Sequence, residues 1–280
     1  MAKLKRPPLR QLAPKGALPE FGQQQNYPVA PAIRYAAMLQ PLVRQMFDEY
    51  AKELTTTVAE VKPITEDETP QEKLKRTLRR LEERFAKLFG EEAPEIAEKY
   101  VKQVDNASAV STTQSLKQTS AAVTLSSMKV APGVKATVAA ATKKNVALIK
   151  SISRHYHHQI YGAVIKSVNP GGQGLKTVVD ALLRYEGVTR RRVEFIATDQ
   201  TRKITGELNA ERSKAAGAKR FEWIHSGGGA EPRRLHLQLS GRIFSYDDLP
   251  VIDERTGERG LPGQLPNCRC TARPIVDFED

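Results

Sequence analysis

Only two cysteines occur in this chain of 280 residues, and that scarcity excludes a small secreted scaffold stapled by disulfides. The reducing cytosol is the default compartment for such a chain. No run approaches the roughly 20 consecutive apolar residues that a membrane span requires. The basic start Met1-Ala2-Lys3-Leu4-Lys5-Arg6 leads into prolines and glutamines, so it does not read as a signal peptide. Aromatic residues make up 6% of the chain, with a single tryptophan. No His-Glu-x-x-His, nucleophile elbow or dinucleotide fingerprint appears. The glycines of Asn169-Pro170-Gly171-Gly172-Gln173-Gly174 run into Leu175-Lys176-Thr177 without the Gly-Lys-Ser/Thr ending that sets a lysine on phosphates. No catalytic residue and no cofactor is therefore assigned from motifs, and the chain is not read as an enzyme.

Acidic residues are missing altogether between Asn106 and Val179, whereas Lys117, Lys129, Lys135, Lys143, Lys144, Lys150, Arg154, Lys166 and Lys176 fall in that stretch. With a net charge of +12 and a pI near 9.7, the chain is drawn to polyanions or to acidic protein surfaces. Lys143, Lys144, Lys150 and Arg154 are the candidate polyanion contacts; the competing reading is a solvated helical face. Tyr156 and Tyr161 are the stretch's aromatics, too few for a platform that stacks single-stranded bases.

The patterning predicts an α+β protein, a predominantly helical body followed by a small C-terminal β-containing module. Residues 1–30, with prolines at 7, 8, 14, 19 and 28, read as an extended Pro/Gln-rich arm, 31–130 as an N-terminal helical region, 131–217 as a central basic helical region and 218–280 as the module. Within the first helical region, apolar residues recur at three- and four-residue steps from Ile33 to Leu54, with Pro41 a kink or a division. Thr69-Pro70-Gln71-Glu72 is a capping box, and the stripe Leu74, Leu78, Leu81, Phe85, Leu88 predicts a helix ending at Gly90. A new helix is predicted from Glu92-Ala93-Pro94, dissolving into Ser, Thr and Ala after Ala107. Pro132-Gly133 precedes a helix to about Ile165. A short helix from Leu175 is expected to stop near Gly187, and Thr189 to cap a last long helix that ends at Gly217. Beyond it the period becomes two: Phe221 to Ile224, the alternation of Leu235, Leu237 and Leu239, and Ile243-Phe244 all read as strands.

Cys268-Arg269-Cys270 stands behind Pro262-Gly263-Gln264 and Pro266. Cysteines at i and i+2 close too strained a ring to pair with each other, but on an extended strand their side chains share one face. Three readings stay open: buried thiols packing as small hydrophobes, a metal site that recruits His236 or His225 to Cys268 and Cys270, with zinc as the ion, or redox and nucleophilic chemistry. His155 and His158 stand one helical turn apart and read either as a metal pair or as a solvated face.

The order of these residues is specific. Asp199-Gln200 in the long helix, Trp223, Arg233 and His236, Gly241, then Pro262-Gly263 and Cys268-Arg269-Cys270 together resemble the phage head morphogenesis family, the minor head proteins of the phage Mu F type, over roughly residues 140–277. The resemblance implies a virion protein of low copy number, located in the capsid interior or at the portal vertex after assembly in the host cytoplasm. It implies portal protein and major capsid or scaffold protein as partners, with phage DNA as a candidate contact during packaging and no membrane. The motif residues would then be structural. A module with enzymatic or toxin-like activity built on Arg233, His236 and the two cysteines is the alternative. Two departures from the family pattern stand out: Ala197-Thr198 replaces Ala-Arg ahead of the acidic residue, and Gly227-Gly228-Gly229 replaces an aspartate-bearing turn.

Overall fold

The computed structural model describes residues 18–59, 69–167, 174–227 and 231–277; the predicted turn at 169–173 and the first part of the arm lie outside them. In chain order the elements are β1 (Glu20–Phe21), α1 (Ala30–Ala59), α2 (Pro70–Ser115), α3 (Leu125–Lys129), α4 (Val134–Ser167), α5 (Leu175–Ala215), β2 (Ala218–Ile224), α6 (Arg234–Leu239), β3 (Ile243–Ser245), β4 (Val251–Asp253), β5 (Glu258–Arg259) and β6 (Thr271–Val276). The protein is α+β, a helical body with a small antiparallel sheet near its C-terminal end. None of the described helices is long and apolar enough to cross a membrane.

Two compact units divide the chain, one of residues 32–100 and 142–198 and one of residues 1–31, 101–141 and 199–280. The first is wholly helical. Its core is rich in rings: Tyr35 stacks on Tyr100 with centroids 3.8 Å apart, and Tyr50 meets Phe85 at 5.7 Å and Tyr156 edge-on at 5.1 Å. Such pairs add about 0.5–1.5 kcal/mol each beyond the area they bury. The Tyr35 hydroxyl donates to Asn145 Oδ1 at 3.1 Å. His157 is buried, with Tyr50 Oη at 3.1 Å from its Nδ1 and Glu82 Oε2 at 3.2 Å from its Nε2. His155 and His158 are exposed.

At Thr69 the capping box forms as predicted: the Thr69 amide donates to Glu72 Oε2 at 2.8 Å and the Glu72 amide to Thr69 Oγ1 at 3.3 Å. The end predicted at Gly90 does not occur, and α2 runs on to Ser115. Pro94 removes the bond that would reach the Gly90 carbonyl, four residues back, and its ring lies on the exposed side of the helix. Phe89, Ala93, Ala97, Tyr100 and Val104 meanwhile continue the buried stripe. Burial of that stripe outweighs the local cost of a glycine and a proline. The same holds for α5, which passes through Gly187 and Thr189; Thr189 is buried inside the helix and caps nothing. Likewise α1 runs unbroken through Pro41.

The second unit holds a polar core that low complexity hid. Ser108 and Thr112 on α2 both reach Asn209 Oδ1 on α5, at 2.6 and 3.4 Å. Arg212, fully buried, donates through Nε to the Met128 carbonyl at 2.9 Å, through Nη1 to Ser108 Oγ at 2.7 Å, and through Nη2 to Asp105. Gly217 ends α5 as predicted, with φ +95° and its amide bonded to the Lys214 carbonyl.

Four antiparallel strands follow in the order β1-β6-β2-β3. Strand β6 runs between β1 (Glu20 opposite Val276) and β2 (Trp223 opposite Ala272). In the arm, β1 gives the sheet an edge, continued by bonds from the Gly22 amide to the Pro274 carbonyl and from the Gln25 amide to the Ala272 carbonyl. The strand predicted through Leu235, Leu237 and Leu239 is instead the helix α6: Leu235, His236 and Leu239 turn inward while Leu237 is exposed, which is a helical rather than an alternating pattern.

Candidate functional site

The motif residues of the C-terminal module converge on one buried cluster. Trp223 on β2, Leu239 on α6, Ile252 on β4, and Leu265, Cys268 and Cys270 in the segment before β6 share a core, and His236 on α6 is buried against Trp223 and the two sulphurs. Cys268-Arg269-Cys270 is not itself in a strand, contrary to expectation. A turn precedes it, with Asn267 at φ +61° and the Cys268 amide bonded to the Leu265 carbonyl. Both cysteines turn inward and Arg269 stays exposed, so the shared face that the spacing suggested is kept without the strand.

His236 is the centre. Its Nδ1 lies 3.4 Å from Cys268 Sγ and 3.7 Å from Cys270 Sγ, and its Nε2 lies 3.0 Å from the Ile252 carbonyl oxygen. A carbonyl only accepts, so Nε2 carries a proton, and Nδ1 is the nitrogen that faces the two sulphurs. The Trp223 ring packs edge-on to the imidazole, centroids 5.3 Å apart. The neighbouring Cys270 S–H, with His236 beside it, holds the Cys268 thiol down at about 4, while the bond to Cys268 and burial push Cys270 upward. Burial opposes charging His236, but the Cys268 and Ile252 contacts outweigh it and raise its pKa.

The flanking residues fix this cluster in place. Arg233 Nη2 donates to the Pro266 carbonyl at 2.9 Å, tying the start of α6 to the cysteine turn. Gly241, at φ +80°, donates to the Trp223 carbonyl at 2.8 Å. Asp199 and Gln200 are buried on α5, where Asp199 Oδ2 takes Lys203 Nζ at 2.8 Å and Gln200 Nε2 at 3.0 Å. His225 stands apart from the metal-distance group of His236, Cys268 and Cys270; its Nδ1 accepts from the Gly227 amide at 3.1 Å. It does line, with Glu231, Arg233, Asn267 and Arg269, a cleft of about 450 Å³ onto which the three clustered residues open.

Tyr27 in the arm has no counterpart among the residues that the sequence singles out. Its hydroxyl lies between the Pro262 carbonyl at 2.8 Å and the Cys270 carbonyl at 2.6 Å, sharing one proton between them. Burial, then the nearby cysteines, raises its pKa well above the ordinary tyrosine value. Gly263, at φ +86°, leaves room for it: a Cβ there would stand 2.2 Å from the Tyr27 oxygen. A tyrosine among prolines and glutamines carries no periodic signal, so nothing in its neighbourhood marks it. Tyr27→Phe is expected to lower stability by about 1 kcal/mol, the worth of one hydrogen bond and the exposure of its acceptors, read as a shift in urea midpoint with unchanged slope.

A separate surface is formed by α4. Lys143, Lys150 and Arg154 recur at i, i+7 and i+11, within about 40° around the helix, with Lys144 to one side. All four are exposed, and none makes an ion pair among the described residues.

Comparison with known proteins places the module. The sequence model of the family described as Phage Mu protein F like protein matches residues 158–273, from the end of α4 into β6. An uncharacterized protein of Haemophilus influenzae is 30% identical over 146 residues, which cover 52% of this chain and 31% of that relative. The chain thus spans under a third of the length of the relative it matches. No solved structure matches.

Proposed function

We propose, from the match of residues 158–273 to the phage Mu protein F like family, that this chain is a minor head protein of a tailed phage or prophage that acts in head morphogenesis by binding rather than turnover. The family match carries the reading, and it ends in the buried cluster around His236. In this reading the partners are portal protein and major capsid or scaffold protein, and the finished protein sits in the capsid interior or at the portal vertex. The C-terminal module supplies a rigid body: its motif side chains are spent on holding loops and strands together, as the Arg233 and Gly241 bonds illustrate. The α4 face supplies the contact with packaged DNA. Its four cations lie along about 16 Å of helix, facing a polyanion that carries one charge per roughly 1.7 Å of duplex.

Quantitative mass spectrometry of heads assembled with and without portal tests the assignment. A low, fixed copy number that depends on portal is expected, and absence from heads would end the proposal. For the DNA contact, charge reversal of Lys143, Lys144, Lys150 and Arg154 to Glu should flatten the log–log salt dependence of duplex binding by roughly 0.9 for each phosphate no longer neutralised. An unchanged slope would assign that face to a protein partner.

A further inference from the structure

We propose that His236, Cys268 and Cys270 are the protein ligands of a zinc ion, with a fourth coordination position open to the cleft beside them. The distances favour a metal. Tetrahedral zinc, with sulphur at about 2.3 Å and nitrogen at about 2.0–2.1 Å, holds its donor atoms roughly 3.5–3.8 Å apart. Here Nδ1 of His236 is 3.4 and 3.7 Å from the two sulphurs, and all three donor atoms lie within 4.8 Å of one another. Apolar packing of two thiols does not call for an imidazole nitrogen aimed between them.

The surroundings fit a metal centre as well. The second nitrogen of His236 is held by the Ile252 carbonyl, the arrangement that orients a ligating imidazole and raises its basicity. The Trp223 indole N–H is buried in the same core without a hydrogen-bond partner among the described residues. Two thiolates and a neutral imidazole around a divalent ion leave no net charge to bury. Soft sulphur with imidazole selects zinc over magnesium, calcium or manganese. On binding, any proton still held on the two sulphurs or on Nδ1 of His236 passes to solvent, and nothing is oxidised or reduced.

His225 is not the fourth ligand. Its Nδ1 already accepts from the Gly227 amide, so its neutral ring presents an N–H at Nε2. The fourth position is left to a water molecule from the cleft lined by Glu231, Arg233 and Asn267.

Metal analysis of the full chain, purified under reducing conditions, should find one zinc per chain. Loading with cobalt(II) instead should give thiolate-to-metal charge transfer in the near ultraviolet and the intense visible bands of a four-coordinate ion. A Cys268→Ser, Cys270→Ser double variant should hold neither metal. A chelator should lower the melting temperature of the parent chain and leave that of the double variant unmoved. A parent chain that stays metal-free after zinc is added, a cobalt spectrum without charge transfer, or zinc retained by the double variant would each overturn the proposal. The cobalt spectrum is read on the parent chain, so it decides between these outcomes even if a variant fails to fold.

Discussion

Replacing Arg212 by Met is expected to destabilise the protein by about 3–5 kcal/mol, the range for breaking a buried ion pair from one side. The guanidinium is 0% exposed and its donors reach three acceptors in two segments: Asp105 and Ser108 on α2, and the Met128 carbonyl at the end of α3. Methionine fills much of the volume but satisfies none of these acceptors. Asp105, whose side chain is 22% exposed, recovers some hydration, which places the loss toward the lower end. Thermal unfolding should shift down by on the order of 10 °C. Arg212→Lys should recover only part of this, since one ammonium cannot serve three acceptors set for a planar fork. A loss below about 1 kcal/mol, the scale of a surface pair, would show that the polar core is not what joins these segments.

Trp223→Ala is the second large effect, again about 3–5 kcal/mol, the cost of deleting a buried ring and leaving its cavity. The side chain is 0% exposed and touches the whole centre of the module, with His236 edge-on and both cysteines in the same core. It is the chain's one tryptophan, so the loss is read by far-ultraviolet circular dichroism in denaturant. Thiol labelling supplies a second readout: Cys268 and Cys270 are both buried, and the cavity should admit reagent and speed their modification. Trp223→Phe should keep most of the stability while losing the N–H beside Cys270. If Trp223→Ala unfolded at the same denaturant concentration as the parent, the motif would not be a packing core.

Much of the fold is readable from the chain, and the failures share a cause. The capping box at Thr69 and the stop at Gly217 are local signals that depend on neighbours a few residues away, and both form as expected. Gly90, Pro94 and Gly187 carry equally local signals, but there a buried stripe continuing on either side overrides them. Ser108 and Thr112 read as low complexity because their partners, Asn209 and Arg212, lie about a hundred residues away. The site shows the same division. Arg233, His236 and both cysteines can be chosen by type and order, whereas the placement of Nδ1 between two sulphurs, the exclusion of His225 and the part played by Tyr27 depend on how α6, the arm and the cysteine turn meet.

The strand order has a consequence for synthesis. Strand β6 is the last of the described elements to leave the ribosome, yet it lies between β1, the first, and β2. Until residues 271–276 emerge, both neighbours wait with unpaired edges, so the sheet closes late, by pairing β6 with a strand far from it in sequence, a slow step by its topology. A chain released early would keep those edges open and invite pairing with other copies.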